Sequence, residues 1–339
     1  QAAARAVHFG ERLSQRDRDR LAVIDAFLTG KLVEGESRVR AILRAYPEDM
    51  EAWYYLAEFL FHYGARNGRP IAEAGDAFQR ALLYDPEHFQ TLMHLSWIRS
   101  IEGRQADLQV LAERMVEVAR GSEFPRFGQP IRAFLQGGQT AVRELIPELR
   151  TESVLSLTFG GIFQLALLDD GLPSAVEVAG VLMGPSRSPS ERATGYALQA
   201  SLEMAQGRLR AAAEVLERWE ALALPPRFET ALENSAAMRL SPFLPVEPGE
   251  LERLRLKLAA LDYDSVYTPV TRPFLLGLVE ARLGRPAEAL RYADQLKSRG
   301  APPAGEASSR VQRIAEYLAV ILRAQVAHDA GDAERAFLL

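Results

Sequence analysis

Five histidines are the residues of this chain most able to bind a metal ion, because neutral imidazole is a common ligand of Zn²⁺. No two of them share a predicted helix at the i, i+4 spacing that would place both side chains on one face. The sequence therefore predicts no metal site, and we interpret His94 as a packed imidazole rather than a ligand. The histidines are His8, His62, His88, His94 and His328.

Cysteine chemistry is excluded, since the chain holds no cysteine that could form a disulfide, a thiolate metal site or a nucleophile. Serine nucleophile elbows of the Gly-x-Ser-x-Gly form do not occur in the sequence either. Gly160-Gly161 lacks the third glycine and the preceding strand of a nucleotide-binding loop, so it predicts close helix packing. We therefore predict no catalytic residue and no cofactor.

Asp170-Gly171, followed by Glu177, imitates the end of a calcium-binding loop. The positions that should carry the earlier ligands hold Ala166 and Leu168, which have no oxygen in their side chains. We interpret Asp170-Gly171 as a turn between two helices.

The composition is that of a folded, non-fibrous protein, with 339 residues, 48% hydrophobic residues and 25% charged residues. The formal net charge of -5 argues against nucleic acid as a partner, because polynucleotide binding usually needs a basic face.

No apolar run approaches the roughly 20 residues that cross a bilayer. The compartment stays open: a cytoplasmic or a periplasmic protein fits, with any membrane association made through partners. Gln1 is not an initiator methionine, so a removed segment is also left open.

Ala, Leu, Arg and Glu recur at helical spacing over almost the whole chain. The alternation of apolar and polar residues that is typical of β-strands is nearly missing. Turn residues recur every 15 to 20 residues or so, which predicts short helices joined by short turns. The main turn positions are Gly30, Gly64, Gly103, Gly171, Gly207, Gly284 and Gly331.

A repeat becomes visible between Trp53 and Pro86. Trp53 opens a first helix that also carries Leu56 and Ala57, and the residues that follow them in a second helix are Ala74, Phe78 and Ala81. This order resembles the repeat of the tetratricopeptide repeat (TPR) family. Trp53 and Ala74 are five residues further apart than the corresponding positions of that family. We interpret Gly64 to Gly68 as an inserted turn. The resemblance implies an all-α, right-handed α-solenoid of stacked helix-turn-helix hairpins.

Weaker copies of this repeat extend over most of the chain, with two stretches that keep the helical period but lose the consensus. We therefore predict five segments: N-terminal TPR-like hairpins over 1–121, an irregular helical hairpin over 122–150, central TPR-like hairpins over 151–224, a proline-rich irregular hairpin over 225–262, and C-terminal TPR-like hairpins over 263–339.

The concave face of the solenoid is where the TPR resemblance places protein binding. The positions that would line it in two successive repeats form a stripe of mainly apolar and aromatic residues, of the kind that dominates binding energy at protein interfaces. Packing by neighbouring hairpins would instead make the same stripe ordinary core. The predicted concave-face residues are Tyr54, Glu58, Phe61, His62, Met93, Trp97 and Ile101.

The predicted function is a non-catalytic scaffold whose partners are other proteins. The segments Tyr46 to Asp49 and Phe61 to Gly64 resemble repeat tails of bacterial serine/threonine kinases and nucleotide cyclases, which implies a docking or sensory tail of a larger signalling protein. The alternative is an extrinsic subunit that braces a large complex, for example a photosynthetic or respiratory membrane complex. A hydrolase or transferase built on the same fold is a third hypothesis, and no group of residues in the sequence supports it.

Overall fold

The computed structural model describes residues 13–122, 126–222, 236–237, 239–240, 246–260, 268–300 and 310–339. Within these ranges every regular element is a helix, which confirms the predicted all-α class. The chain forms two compact units, Gln1–Gly184 and Pro185–Leu339. In each unit consecutive helices pack against one another as hairpins, as the repeat pattern predicts for a solenoid.

The first unit is a series of hairpins in which consecutive helices from α1 to α7 contact each other, and α7 to α10 all contact the turn Thr158–Ile162. A π-helical turn, Leu60–Gly64, extends α3, and another, Thr158–Ile162, joins α8 to α9. The helices are α1 (Gln15–Thr29), α2 (Leu32–Ala45), α3 (Met50–Phe59), α4 (Ala72–Tyr84), α5 (Phe89–Ile101), α6 (Gln105–Ala119), α7 (Gln129–Leu149), α8 (Val154–Leu157), α9 (Phe163–Ala166) and α10 (Leu172–Leu182).

The second unit also consists of helical hairpins. Its helices are α11 (Pro189–Ala205), α12 (Leu209–Ala221), α13 (Pro248–Ala259), α14 (Thr268–Arg282), α15 (Pro286–Gly300), α16 (Arg310–Asp329) and α17 (Ala333–Leu338). Ser188 caps α11 through a reciprocal pair of hydrogen bonds with Glu191, which satisfies two free donors at that helix start.

The repeat residues read from the sequence lie where the helices cross. Ala57, Ala74, Phe78 and Ala81 are all fully buried between α3 and its neighbours. Small side chains at these crossings let the helix backbones approach, while Phe78 fills the space between them. Stacking of the hairpins therefore buries the apolar face that one hairpin alone would expose.

Glycine turns end the first helix of several hairpins in one recurring geometry. Gly103, Gly207 and Gly284 have φ angles of 67°, 70° and 71°, in the left-handed region that favours glycine. In each case the N–H of the following arginine donates to the carbonyl oxygen five residues earlier, as in a Schellman motif. Gly30 and Gly331 end their helices with the same bond, so five of the predicted turn positions are confirmed.

The predicted turn from Gly64 to Gly68 is wrong in its position. Gly64 has helical angles and belongs to the π-helical turn, a single 3₁₀ turn (Ala65–Asn67) follows, and the chain reverses only at Gly68, where φ is 70°. The extra residues therefore lengthen the first helix of this hairpin rather than forming a loop. A π-helical turn absorbs them because it widens the helix locally, which the hydrophobic pattern does not reveal.

Gly160 and Gly161 lie at a close helix contact, as the sequence predicts. A Cβ atom on Gly160 would lie 2.9 Å from the ring of Phe127, and one on Gly161 would lie 3.2 Å from Pro130.

Asp170 is confirmed as a turn residue, with a φ of 56° between α9 and α10. The α7 helix is interrupted at Gly137 and Gly138, which have non-helical angles inside the predicted irregular hairpin of 122–150. Half of the proline-rich segment of 225–262 lies outside the described residues, and the five-segment division stays a prediction.

Gly171 provides a test of this packing. A Cβ atom at this position would lie 2.1 Å from the backbone carbonyl oxygen of Leu165, which cannot move without shifting the end of α9. We expect Gly171→Ala to lower the free energy of unfolding by about 1–3 kcal/mol, the usual cost of overpacking. Gly180→Ala in α10 is the control, since its Cβ would meet no atom within 4 Å. It should raise stability by about 0.5–1 kcal/mol, because alanine favours helix over glycine. Equal effects of the two changes in urea unfolding would contradict the packing argument.

Candidate functional site: a histidine and aromatic cluster between α3 and α5

All seven predicted concave-face residues lie on α3, its π-helical turn or α5. Glu58 is buried, His62 is exposed, and Tyr54, Phe61, Met93 and Trp97 are half-buried. Ile101, at the end of α5, is 51% exposed. Tyr54, Phe61 and Met93 pack against the core of the first unit, so these three residues are partly core and partly surface.

Three polar side chains meet within this region, and we call them the Glu58 cluster: Glu58, His62 and His94. His62 Nε2 lies 3.3 Å from Glu58 Oε2, and His94 Nδ1 lies 3.1 Å from Glu58 Oε1. His94 Nδ1 also hydrogen bonds with the carbonyl oxygen of Gln90 at 3.0 Å. Glu58 Oε1 is shielded from solvent and accepts no hydrogen bond, since the nearby His94 Nδ1 donates its hydrogen to Gln90.

Aromatic rings enclose the Glu58 cluster on its inner side. The ring of Phe78 stacks on His94 at a centroid distance of 5.4 Å and an interplanar angle of 6°. Phe61 and Trp97 contact the same imidazole at 5.0 Å and 5.3 Å. His94 therefore lies in an apolar environment, in which unpaired charge is costly.

Burial has opposite effects on the ionisable side chains of this region. It lowers the pKa of His94 below the ordinary imidazole value, and the negative charge of Glu58 only partly opposes that shift. Burial, with the nearby charge of Glu58, raises the pKa of Tyr54 well above the ordinary phenol value. Both side chains are consequently neutral at pH 7.

Trp97 contacts a helical segment that is far away in the sequence. Its indole Nε1–H donates to the carbonyl oxygen of Phe159 at 3.2 Å, and its ring stacks on Phe159 at 5.6 Å. Phe163 lies against the same indole at 6.4 Å and is itself 39% exposed. Within the predicted stripe, Trp97 is therefore partly covered by Phe159 and Ile101 is exposed, and protein binding by the stripe stays a prediction.

Asp49 fixes the start of α3 and so the placement of the region. Its carboxylate is buried, accepts the N–H of Ala52 as a helix cap, and accepts hydrogen bonds from Arg16 at 2.8 Å and Arg20 at 2.9 Å. Because both arginines belong to α1, this one carboxylate joins two successive hairpins.

The sequence-based prediction of no metal site depends on the spacing of histidine pairs, and it does not include a carboxylate such as Glu58. Glu58 and His62 do have the i, i+4 spacing, with a carboxylate as the second ligand type, and this signal was available. The approach of His94 from α5 was not available from spacing, since it depends on how the hairpins stack. Phe159 and Phe163 were missed for the same reason.

No protein-family model and no curated protein sequence matches the chain. Among solved structures it is similar to the TPR domain of P58(IPK), with 9% identity, a TM-score of 0.32, and coverage of 96% of this chain and 91% of that one. It is also similar to the structure of Naa15/Naa10 bound to HypK-THB, with 14% identity, a TM-score of 0.31, and coverage of 99% of this chain and 58% of that one. These low scores carry no argument about function, and the hairpin architecture rests on the helices and turns described above. In the described part of the chain no helix combines the length and the apolar character needed to cross a membrane.

Proposed function

We propose that this chain is a non-catalytic scaffold that binds partner proteins through the stripe between α3 and α5. The observation that supports this proposal most is that Phe163, which contacts the half-buried Trp97, and Ile101, one helical turn after Trp97 in α5, are both exposed. Apolar patches that are open next to a rigid aromatic anchor are the usual centres of protein interfaces. The glycine turns and the core under this patch hold it on packed helices rather than on loops.

The partner that fits this surface presents apolar side chains, not an acidic tail. TPR proteins that clamp a carboxylate tail place Lys and Asn on the concave face, whereas the predicted concave-face positions of this chain hold Tyr54, Glu58 and Trp97. The carboxylate of Glu58 would repel an acidic partner. An amphipathic helix or an extended apolar segment of another protein is the occupant that we propose.

The finer proposal is that the chain acts as a docking or sensory tail of a larger signalling protein. It is supported by the similarity of its first full repeat to the tails of bacterial kinases and cyclases. A kinase or cyclase domain encoded upstream in the same reading frame would support it. Stoichiometric co-purification with the subunits of a membrane complex would instead favour an extrinsic subunit.

Ile101 allows a direct test of the surface, because its side chain is exposed and its removal should leave the fold intact. A photo-crosslinking amino acid at position 101 should capture a partner in cells of the source organism, and mass spectrometry should identify it. We then expect Ile101→Lys to weaken the binding of that purified partner at least about tenfold. Lysine suits position 101 because this position is the last residue of α5, and a positive charge is tolerated at the C-terminus of a helix.

The matched control is Val110→Lys in α6, where the native side chain is 59% exposed and lies outside the stripe. It introduces the same charge and should leave the affinity unchanged. Equal affinities for wild type, Ile101→Lys and Val110→Lys would reject the stripe as the binding surface. Crosslinking of the same partner from position 110 alone would place the interface on α6.

A further inference from the structure

We propose that Glu58, His62 and His94 form a binding site for a divalent transition-metal ion of the Zn²⁺ class. This proposal departs from the sequence-based prediction of no metal site. Each of the three side chains offers one ligand atom, and these atoms all lie within 4.8 Å of one another. Two imidazole nitrogens with one carboxylate oxygen are a donor set that Zn²⁺ and its neighbours in the first transition row accept.

Two of the separations between the donors are close to those of tetrahedral coordination. Two ligand atoms that each lie 2.0–2.1 Å from a tetrahedral ion are about 3.3–3.4 Å apart. Glu58 Oε2 lies 3.3 Å from His62 Nε2, and Glu58 Oε1 lies 3.1 Å from His94 Nδ1. Because these are different oxygens, and because His94 Nδ1 donates to the carbonyl oxygen of Gln90, an ion would be bound after side-chain rotations that release this hydrogen bond and bring one carboxylate oxygen to both imidazoles.

The buried oxygen of Glu58 is an independent sign of a missing ligand. Glu58 Oε1 is closed off from solvent and has no hydrogen-bond partner, although buried carboxylate oxygens are usually satisfied. A bound cation would supply the partner that this oxygen lacks. The His62 side chain is 41% exposed, so an ion could reach the cluster from solvent past this residue.

The surroundings of the cluster also have the features of a metal site. His62 lies inside the π-helical turn Leu60–Gly64, and such turns are frequent at functional sites. Phe78 stacks on His94, so one of the three donors is held by a neighbouring ring. Three protein ligands leave one tetrahedral position open on the exposed side of His62. Through it a water molecule or a donor of a partner protein could bind the ion.

The test uses the purified full chain without a histidine tag, stripped with a chelator and titrated with ZnCl₂ in a calorimeter. Wild type should bind one equivalent, and Co²⁺ should give the intense visible absorption of a tetrahedral complex. We expect His62→Gln and Glu58→Gln each to weaken Zn²⁺ binding at least about tenfold. His62 is the more decisive position, because its exposed side chain can be changed without disturbing the core.

His328→Gln is the matched control, since this exposed histidine of α16 lies outside the cluster and pairs with Asp329. It should bind Zn²⁺ as wild type does. The proposal is overturned if wild type takes up neither Zn²⁺ nor Co²⁺, or if wild type and His62→Gln bind Zn²⁺ equally. Metal binding is measured without any partner, so its failure would leave the protein-binding proposal standing, and a failed partner test would leave the metal site standing.

Discussion

Phe78→Ala should lower the free energy of unfolding by about 3–5 kcal/mol, as deletion of a buried phenylalanine ring usually does. Phe78 is fully buried and contacts the rings of Tyr54, Phe61 and His94. Its removal would leave a cavity at the crossing of three helices, and the rigid rings around it can close that cavity only in part. Urea unfolding, followed by tryptophan fluorescence and by circular dichroism, measures the loss.

Leu83→Ala is the control for Phe78, because Leu83 belongs to the same helix and is 68% exposed. We expect a change within about 0.5 kcal/mol for this surface position. A cost for Phe78→Ala as small as that for Leu83→Ala would mean that the crossing is not the packed centre of the first unit.

Asp49→Ala should lower the free energy of unfolding by about 3 kcal/mol, combining about 1 kcal/mol for the helix cap with the loss of charge-assisted hydrogen bonds. The buried carboxylate holds α1 against the start of α3 through Arg16 and Arg20. Asp49→Asn separates the two effects, because asparagine also caps helices but carries no charge. The asparagine variant should therefore recover about 1 kcal/mol relative to alanine. Equal unfolding energies of the two variants would show that the cap contributes nothing.

The contribution of Asp49 should also depend on pH. Burial by itself raises the pKa of this carboxyl group, but hydrogen bonds from Arg20, Ala52 and Arg16 outweigh it and lower the pKa below the ordinary value of 3.8. Because the folded state binds its proton less tightly than the unfolded state does, the contribution is complete above pH 3.8 and is lost as the pH falls through the folded pKa. The stability difference between wild type and Asp49→Asn should accordingly be constant near neutral pH and decrease below about pH 4. A difference that grows with acidification would contradict the assignment.

Most of the fold could be predicted because its signals are local. Gly103, Gly207 and Gly284 mark turns since only glycine readily takes the positive φ that ends these helices. Ala57 and Ala74 indicate helix crossings since a larger side chain would hold the backbones apart. The end of the first helix of the hairpin between Trp53 and Pro86 was predicted incorrectly, because a π-helical turn is not visible in the apolar pattern of the sequence. Whether the superhelix is right-handed stays a prediction.

Less of the candidate site could be predicted, because its parts meet through stacking. The family resemblance selected Tyr54, Glu58, Phe61 and Trp97 as surface positions, and the structure places them together. It does not distinguish exposed members such as Ile101 from the covered Trp97, since the covering residue, Phe159, lies 62 positions away in the chain. The carboxylate-histidine spacing of Glu58 and His62 was visible in the sequence, but the third ligand, His94, belongs to the next hairpin.

The recurring glycine turns also bear on how the chain folds. Each turn is closed by a bond over five residues. In two of them the side chain of the following arginine, Arg208 or Arg285, also pairs with the glutamate whose carbonyl oxygen accepts that bond, Glu203 or Glu280. Contacts this short in sequence form at little cost in loop-closure entropy, so a hairpin can begin to form before its neighbours exist. Folding can then start at several hairpins and spread by stacking, as in other repeat proteins. A nascent chain of this kind would begin to fold during synthesis, one hairpin after another, without waiting for its C-terminus.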